Sequence, residues 1–169
     1  ATANAHATID TTATHTRRGV TTRACATTDA SSSSCSGVTT VIGDFDIHFV
    51  HVVGEAGGKR PLLLSHGWPG SHYEFWGSIE KLAFPSKFGG KAEAAFDVGV
   101  PSLPGFGFSS KPAKPFGQRA TAGLFNTLMT EVLGYDRYLA QGGDWGAFVT
   151  SCLGLDHAKH VKAIHLNMI

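Results

Sequence analysis

Cysteine and charge are both scarce in this 169-residue chain, and each shortage narrows what it can be. The three cysteines, Cys25, Cys35 and Cys152, form an odd set with no CxxC pair, which argues against a disulfide framework and against a zinc knuckle. A reducing, cytoplasmic setting is the expectation. Charged residues make up 16% of the chain and the formal net charge is +1, so no field concentrates nucleic acid, anionic lipid or acidic substrates. Partner choice then has to come from a pocket, and no nucleic-acid partner is expected. No apolar run approaches the ~20 residues of a membrane-spanning helix, so no transmembrane segment is expected. The N-terminus also lacks the apolar block of a secretory signal. A starting Met is missing and the last residues read as a strand, so the chain is expected to be a piece of a longer domain.

Apolar material is present in quantity: 42% of residues are hydrophobic, enough for one buried core. It is unevenly spread. Residues 1–36 are dominated by Thr, Ala and Ser, without a periodicity that buries a face, and are expected to be a disordered tail. Arg17, Arg18 and Arg23 among these small residues look faintly like an organelle transit peptide; a non-native or linker segment is the plainer reading.

Residues 37–169 read as an ordered domain. Residues 45–52 alternate as a strand, entered through a Gly43-Asp44 hairpin turn. Leu62-Leu63-Leu64 is the short continuous apolar run of a strand covered on both faces. Helix is expected over residues 73–83 and strand over 96–100. Phe125, Leu128, Met129, Val132 and Leu133 mark an amphipathic helix stopped at Gly134. Strand follows over 137–141, a nearly all-apolar buried helix over 146–155, and strand over 161–166. Strands alternating with helices predict an α/β fold with a largely parallel sheet, an antiparallel hairpin at its start and helices on both faces.

Gly142-Gly143-Asp144-Trp145-Gly146 falls between an expected strand and an expected helix, the setting of a nucleophile elbow, G-x-nucleophile-x-G. Small residues at 142 and 146 are required there because strand and helix backbones nearly touch. An Asp-capped helix start would look the same, so this turn alone leaves both readings open. His66-Gly67-Trp68-Pro69-Gly70 follows the buried strand, where this fold places a loop that supplies an oxyanion-hole N–H. The other donor is the N–H of the residue after the nucleophile, Trp145. Pro69 has no N–H, and its peptide bond can adopt the cis form. By itself His66 reads more readily as a hydrogen-bonded structural histidine than as a base.

Aspartate at the elbow dictates its own chemistry. With a reference pKa of ~3.9 it is ionised at neutral pH without help from a base. It attacks a strained or activated saturated carbon and leaves an alkyl-enzyme ester. A histidine is needed only to activate water against that ester.

The stretches IGDFDIHFVHV, PLLLSHGWPGSHYEFW, VPSLPGFGFSSKP, LGYDRYLAQGGDWGA and IHLNM together resemble the N-terminal half of the catalytic domain of a microsomal-type epoxide hydrolase, an α/β-hydrolase. The resemblance covers residues 41–169 and implies Asp144 as nucleophile and Trp68 and Trp145 as backbone oxyanion donors. It implies a small apolar epoxide and water as reactants, a vicinal diol as product, and neither cofactor nor metal. Haloalkane dehalogenases share the Asp nucleophile, but usually pair an HGNP-type loop with a QDWG elbow. A non-catalytic remnant that binds apolar ligands is the third reading, because the family's lid tyrosines and late acid–histidine pair lie beyond Ile169. His157, His160, His165 and Asp156 come too early in the chain to replace them and read as structural or surface residues. Tyr135 and Tyr138 read as packing residues, and Phe75 and Trp76 as core or pocket wall.

Overall fold

The computed structural model describes residues 22–23 and 37–168. The rest of the expected tail, residues 1–21 and 24–36, lies outside the described residues. Residues Thr22–Arg23 form a short strand, β1, paired antiparallel with Thr39 and Thr40 of β2 (Gly37–Ile42). Gly43 at φ 59° turns β2 into β3 (Phe45–Val52), the expected hairpin. The remaining strands are β4 (Pro61–Ser65), β5 (Asp97–Pro101), β6 (Tyr138–Gly142) and β7 (Val161–Leu166).

These seven strands make one sheet in the order β1-β2-β3-β5-β4-β6-β7. The strands from β5 to β7 pair in parallel, and those from β1 to β5 pair antiparallel along the hairpin. The sheet is therefore mixed in equal parts rather than mostly parallel. Strand alternation explains its two coated faces. Ile47, Phe49, Leu63, Tyr138 and Ala140 point to one side and pack with α2 (Gln118–Thr127) and α3 (Trp145–Asp156). Val50, Leu64, Val98 and Val100 point to the other and pack with Ile79 and Ala83 of α1 (Trp76–Ala83).

Helix α1 is entered by a 3₁₀ turn over His72–Phe75, capped by Ser71, whose Oγ accepts the Tyr73 N–H. Phe75 packs on the α1 core, whereas Trp76 stacks on Tyr73 at the surface. Beyond Thr127, α2 runs on as a π-helical turn over Leu128–Val132, closed by Leu133 N–H to the Leu128 carbonyl, and Gly134 takes the left-handed conformation at φ 77°. The expected helix is there, and it begins seven residues earlier than its large apolar residues indicate, at Gln118 rather than Phe125.

Helix α3 differs from the all-round buried helix expected. Gly146, Ala147, Val149, Thr150 and Leu153 are buried, while Phe148 and Leu155 are exposed. Only the face toward the sheet and α2 is covered. No helix among the described residues is long and apolar enough to cross a membrane.

Candidate active site

Strand β6 ends at Gly142 and α3 begins at Trp145, so the chain reverses within two residues. Asp144 absorbs the reversal at φ 51° and ψ −126°, the one non-glycine positive φ among the described residues. Such a backbone is costly for an L-residue and persists only where its surroundings enforce it. The enforcement is visible at the flanking glycines. A Cβ on Gly142 would lie 2.1 Å from the Gly146 carbonyl oxygen, and one on Gly146 would lie 2.1 Å from the Ser65 carbonyl oxygen. Gly143 is confined in a softer way, its missing Cβ facing the Asn167 side chain.

The second loop leaves β4 at Ser65 and brings Gly67 against the aspartate: a Cβ at 67 would lie 2.5 Å from Asp144 Cβ. The Trp68–Pro69 peptide bond is cis. Trp68 N–H donates to Asp144 Oδ1 at 2.7 Å, and Trp145 N–H donates to the same oxygen at 2.6 Å. Both bonds are short and charge-assisted. The Trp68 amide, then the Trp145 amide, hold the Asp144 carboxyl below its usual pKa. The N-terminus of α3 adds a favourable dipole. Asp144, Trp68, Trp145, Gly67, Gly142, Gly143 and Gly146 are thus brought to one point.

His66 is buried beneath this point and Pro69 is exposed beside it. The His66 ring meets Phe106 edge-on at 5.7 Å, and Phe106 in turn meets the Trp145 indole edge-on at 5.8 Å. Phe106 belongs to the loop after β5, which the sequence reading left unassigned. Glu74 is a second group that reading missed. Its Oε1 lies 1.5 Å from where a Gly70 Cβ would be, so the carboxylate rests on the oxyanion loop. Burial raises the Glu74 pKa, with Asp144's negative charge adding to it against a lowering contact from the Gly67 amide. Ser71-x-x-Glu74 carries the pattern of a helix capping box, and that local meaning concealed the proximity to Asp144.

The other titratable residues singled out are held elsewhere. Asp156 takes a two-pronged bond from Arg119 at 2.6 and 2.8 Å. His160 Nδ1–H donates to the Asp136 carbonyl, and His165 lines a groove on the α1 side of the sheet. Tyr138 is buried and donates to Asn126 Oδ1. Tyr135 hydrogen-bonds His51 and Asp97. Among the described residues, no group of three or more His, Cys, Asp and Glu side chains gathers as a metal site.

Comparison with known proteins identifies the fold. Residues 60–169 match the model of the alpha/beta hydrolase fold, and residues 26–75 match that of the epoxide hydrolase N terminus, which reaches back ahead of residue 37. The chain belongs to the α/β-hydrolase fold family. Within that family it is similar to epoxide hydrolases. It is 43% identical over 134 residues to Epoxide hydrolase 1 of Oryctolagus cuniculus, a match covering 76% of this chain and 29% of the rabbit protein. The crystal structure of juvenile hormone epoxide hydrolase from Bombyx mori superposes with a TM-score of 0.68 at 33% identity, over 80% of this chain and 36% of that one. The epoxide hydrolase of Aspergillus niger gives a TM-score of 0.69 at 36% identity, over 80% and 35%. The chain thus spans about 29% of the length of the curated relatives it matches.

Proposed function

We propose that Asp144 is the nucleophile of an epoxide hydrolase, with the main-chain amides of Trp68 and Trp145 as its oxyanion hole. The observation that carries this reading is that both amides converge on one carboxylate oxygen, Oδ1, at 2.7 and 2.6 Å. This leaves Oδ2 to attack. Oδ2 forms a bond to one epoxide carbon, the ring C–O bond breaks, and the ring oxygen takes the electron pair and a proton from solvent water. The product is an alkyl ester of Asp144 whose carbonyl oxygen, Oδ1, already sits between the two amides. Water then adds to Cγ, the negative charge develops on Oδ1, and collapse releases the diol and restores the carboxylate. Preorganised donors act where the charge appears, which is the usual largest contribution of such a site.

The second step needs a general base. His66 cannot supply it, since both its ring nitrogens are already engaged by backbone groups. Stoichiometric esterification without sustained turnover is the expected behaviour of this chain. The substrate is a small apolar epoxide, in keeping with the weak net charge and the aromatic surroundings of Trp68, Trp145 and Phe106.

The test is to incubate the chain with a small aryl epoxide and digest it with trypsin. The mass of one epoxide should appear on the peptide of residues 138–159, and Asp144→Asn should carry none. An adduct on any other peptide, or an equal adduct in Asp144→Asn, rejects the assignment. Halide release from haloalkanes, with no reaction toward epoxides, would instead select the dehalogenase reading of the same nucleophile.

A further inference from the structure

The orientation of one peptide group decides whether the oxyanion hole exists, and a buried histidine lies against its far side. His66 is 0% exposed. Its Nε2 lies 3.0 Å from the Leu103 backbone nitrogen, which can only donate, so Nε2 carries a lone pair. The ring proton therefore sits on Nδ1, 3.0 Å from the Gly67 carbonyl oxygen. That carbonyl and the Trp68 N–H are opposite ends of the same trans peptide group and point in opposite directions. The N–H end reaches Asp144 Oδ1 at 2.7 Å. Glycine at 67 offers no side chain to resist rotation of this group, so something else must hold it.

We propose that His66 is a positioning residue for the oxyanion hole: its Nδ1–H holds the Gly67 carbonyl on the buried side and thereby aims the Trp68 N–H at Asp144. Leu103 N–H selects the tautomer that makes this possible, so the backbone just after β5 takes part in setting the hole. Neither ring nitrogen is free for proton transfer, which separates this role from that of a base. Burial, the main cause holding the His66 pKa below its ordinary value, keeps the ring neutral at neutral pH. This inference deepens the reading of Asp144 as nucleophile and rests on it for its catalytic consequence, but the geometry can be tested without any reaction.

Two measurements on the full chain decide it. In the unaltered protein, nitrogen-15 NMR of the imidazole should show Nδ1 protonated and Nε2 bare; a ring protonated on Nε2 overturns the proposal. Carboxyl carbon-13 NMR then follows the titration of Asp144 in two variants. His66→Asn places an amide donor near the position of Nδ1, whereas His66→Gln places its amide near Nε2. The Asp144 pKa should remain depressed in His66→Asn and rise toward the ordinary ~3.9 in His66→Gln. A His66→Gln protein with unchanged circular dichroism and melting temperature and an unchanged Asp144 pKa overturns the proposal. If His66→Gln does not fold, loss of the depressed pKa in a folded His66→Asn does so equally. Should Asp144 respond as expected while no epoxide adduct forms on it, the clamp stands and the functional reading falls. An adduct together with an unresponsive Asp144 gives the converse.

Discussion

As the proposed nucleophile, Asp144 needs no activating base, and this sets it apart from a serine or cysteine at the same elbow. Its carboxyl is held below the usual range by the Trp68 and Trp145 amides, so its folded pKa is depressed relative to the unfolded ~3.9. The stabilisation from these bonds is fully present above the unfolded value and is lost as pH falls through the lower folded one. Esterification of Asp144 by an epoxide should accordingly proceed at a constant rate from about pH 5 to pH 8, since the nucleophile is ionised throughout. Measured by the extent of labelling against time, a rate falling about tenfold per unit below pH 6.5 would place a histidine in the step instead. At this scale the sequence was most informative where geometry leaves few choices. Gly142 and Gly146 announce themselves because a side chain at either would meet backbone, and Asp144 is marked by standing between them. Glu74 and Phe106 do not, because their importance lies in contacts across separate loops.

Among the elements, α3 and the loop after β4 are locked together at the glycines. Gly146→Ala would force its Cβ to 2.1 Å from the Ser65 carbonyl, a backbone atom that cannot rotate away. The expected cost is about 3 kcal/mol or more, or failure to fold. Gly123→Ala is the matched control. It lies within α2 with open space where its Cβ would go, and should gain up to about 1 kcal/mol from helix propensity. Urea denaturation of the two variants checks both values, and an equal response would show that packing at the elbow is not the constraint. Strand and helix positions were legible from periodicity to within a few residues, except for β1, which falls in the expected tail, and at the start of α2. There the buried residues are Thr121 and Ala122, small side chains that let α2 approach α3 and give no large-hydrophobic signal. The π-helical turn over Leu128–Val132 was equally silent, since a one-residue shift in hydrogen bonding leaves the apolar spacing almost unchanged.

For the molecule as a whole, the two sides of the sheet are unequally covered. On the α1 side, an apolar groove of about 440 Å³ runs over β4, β6 and β7, lined by Leu62, Leu64, Phe96, Leu139 and Ala163 among others. It does not include the residues that surround Asp144. Strand β7 is an edge of the described sheet, with Ile164 41% exposed, and unpaired apolar edges favour association. Ile164→Lys should shift sedimentation toward the monomer, with no effect on esterification of Asp144. Unchanged sedimentation would remove β7 as the source of association. The α/β class and the two helix-coated faces followed from the alternation of elements. The equal split between parallel and antiparallel pairing did not, because β1 comes from the stretch read as a tail and β3 joins β5 antiparallel, long-range pairings that no local pattern records.

Both amides that grip Asp144 belong to tryptophans, and only Trp76 completes the set of three in the chain. Their indoles stand partly in solvent, Trp68 at 61% and Trp145 at 41% exposure. The protein therefore carries its own optical reporter: neutralising that charge by esterification should alter the emission of two of its three fluorophores, so that the chemistry can be watched in real time without a label.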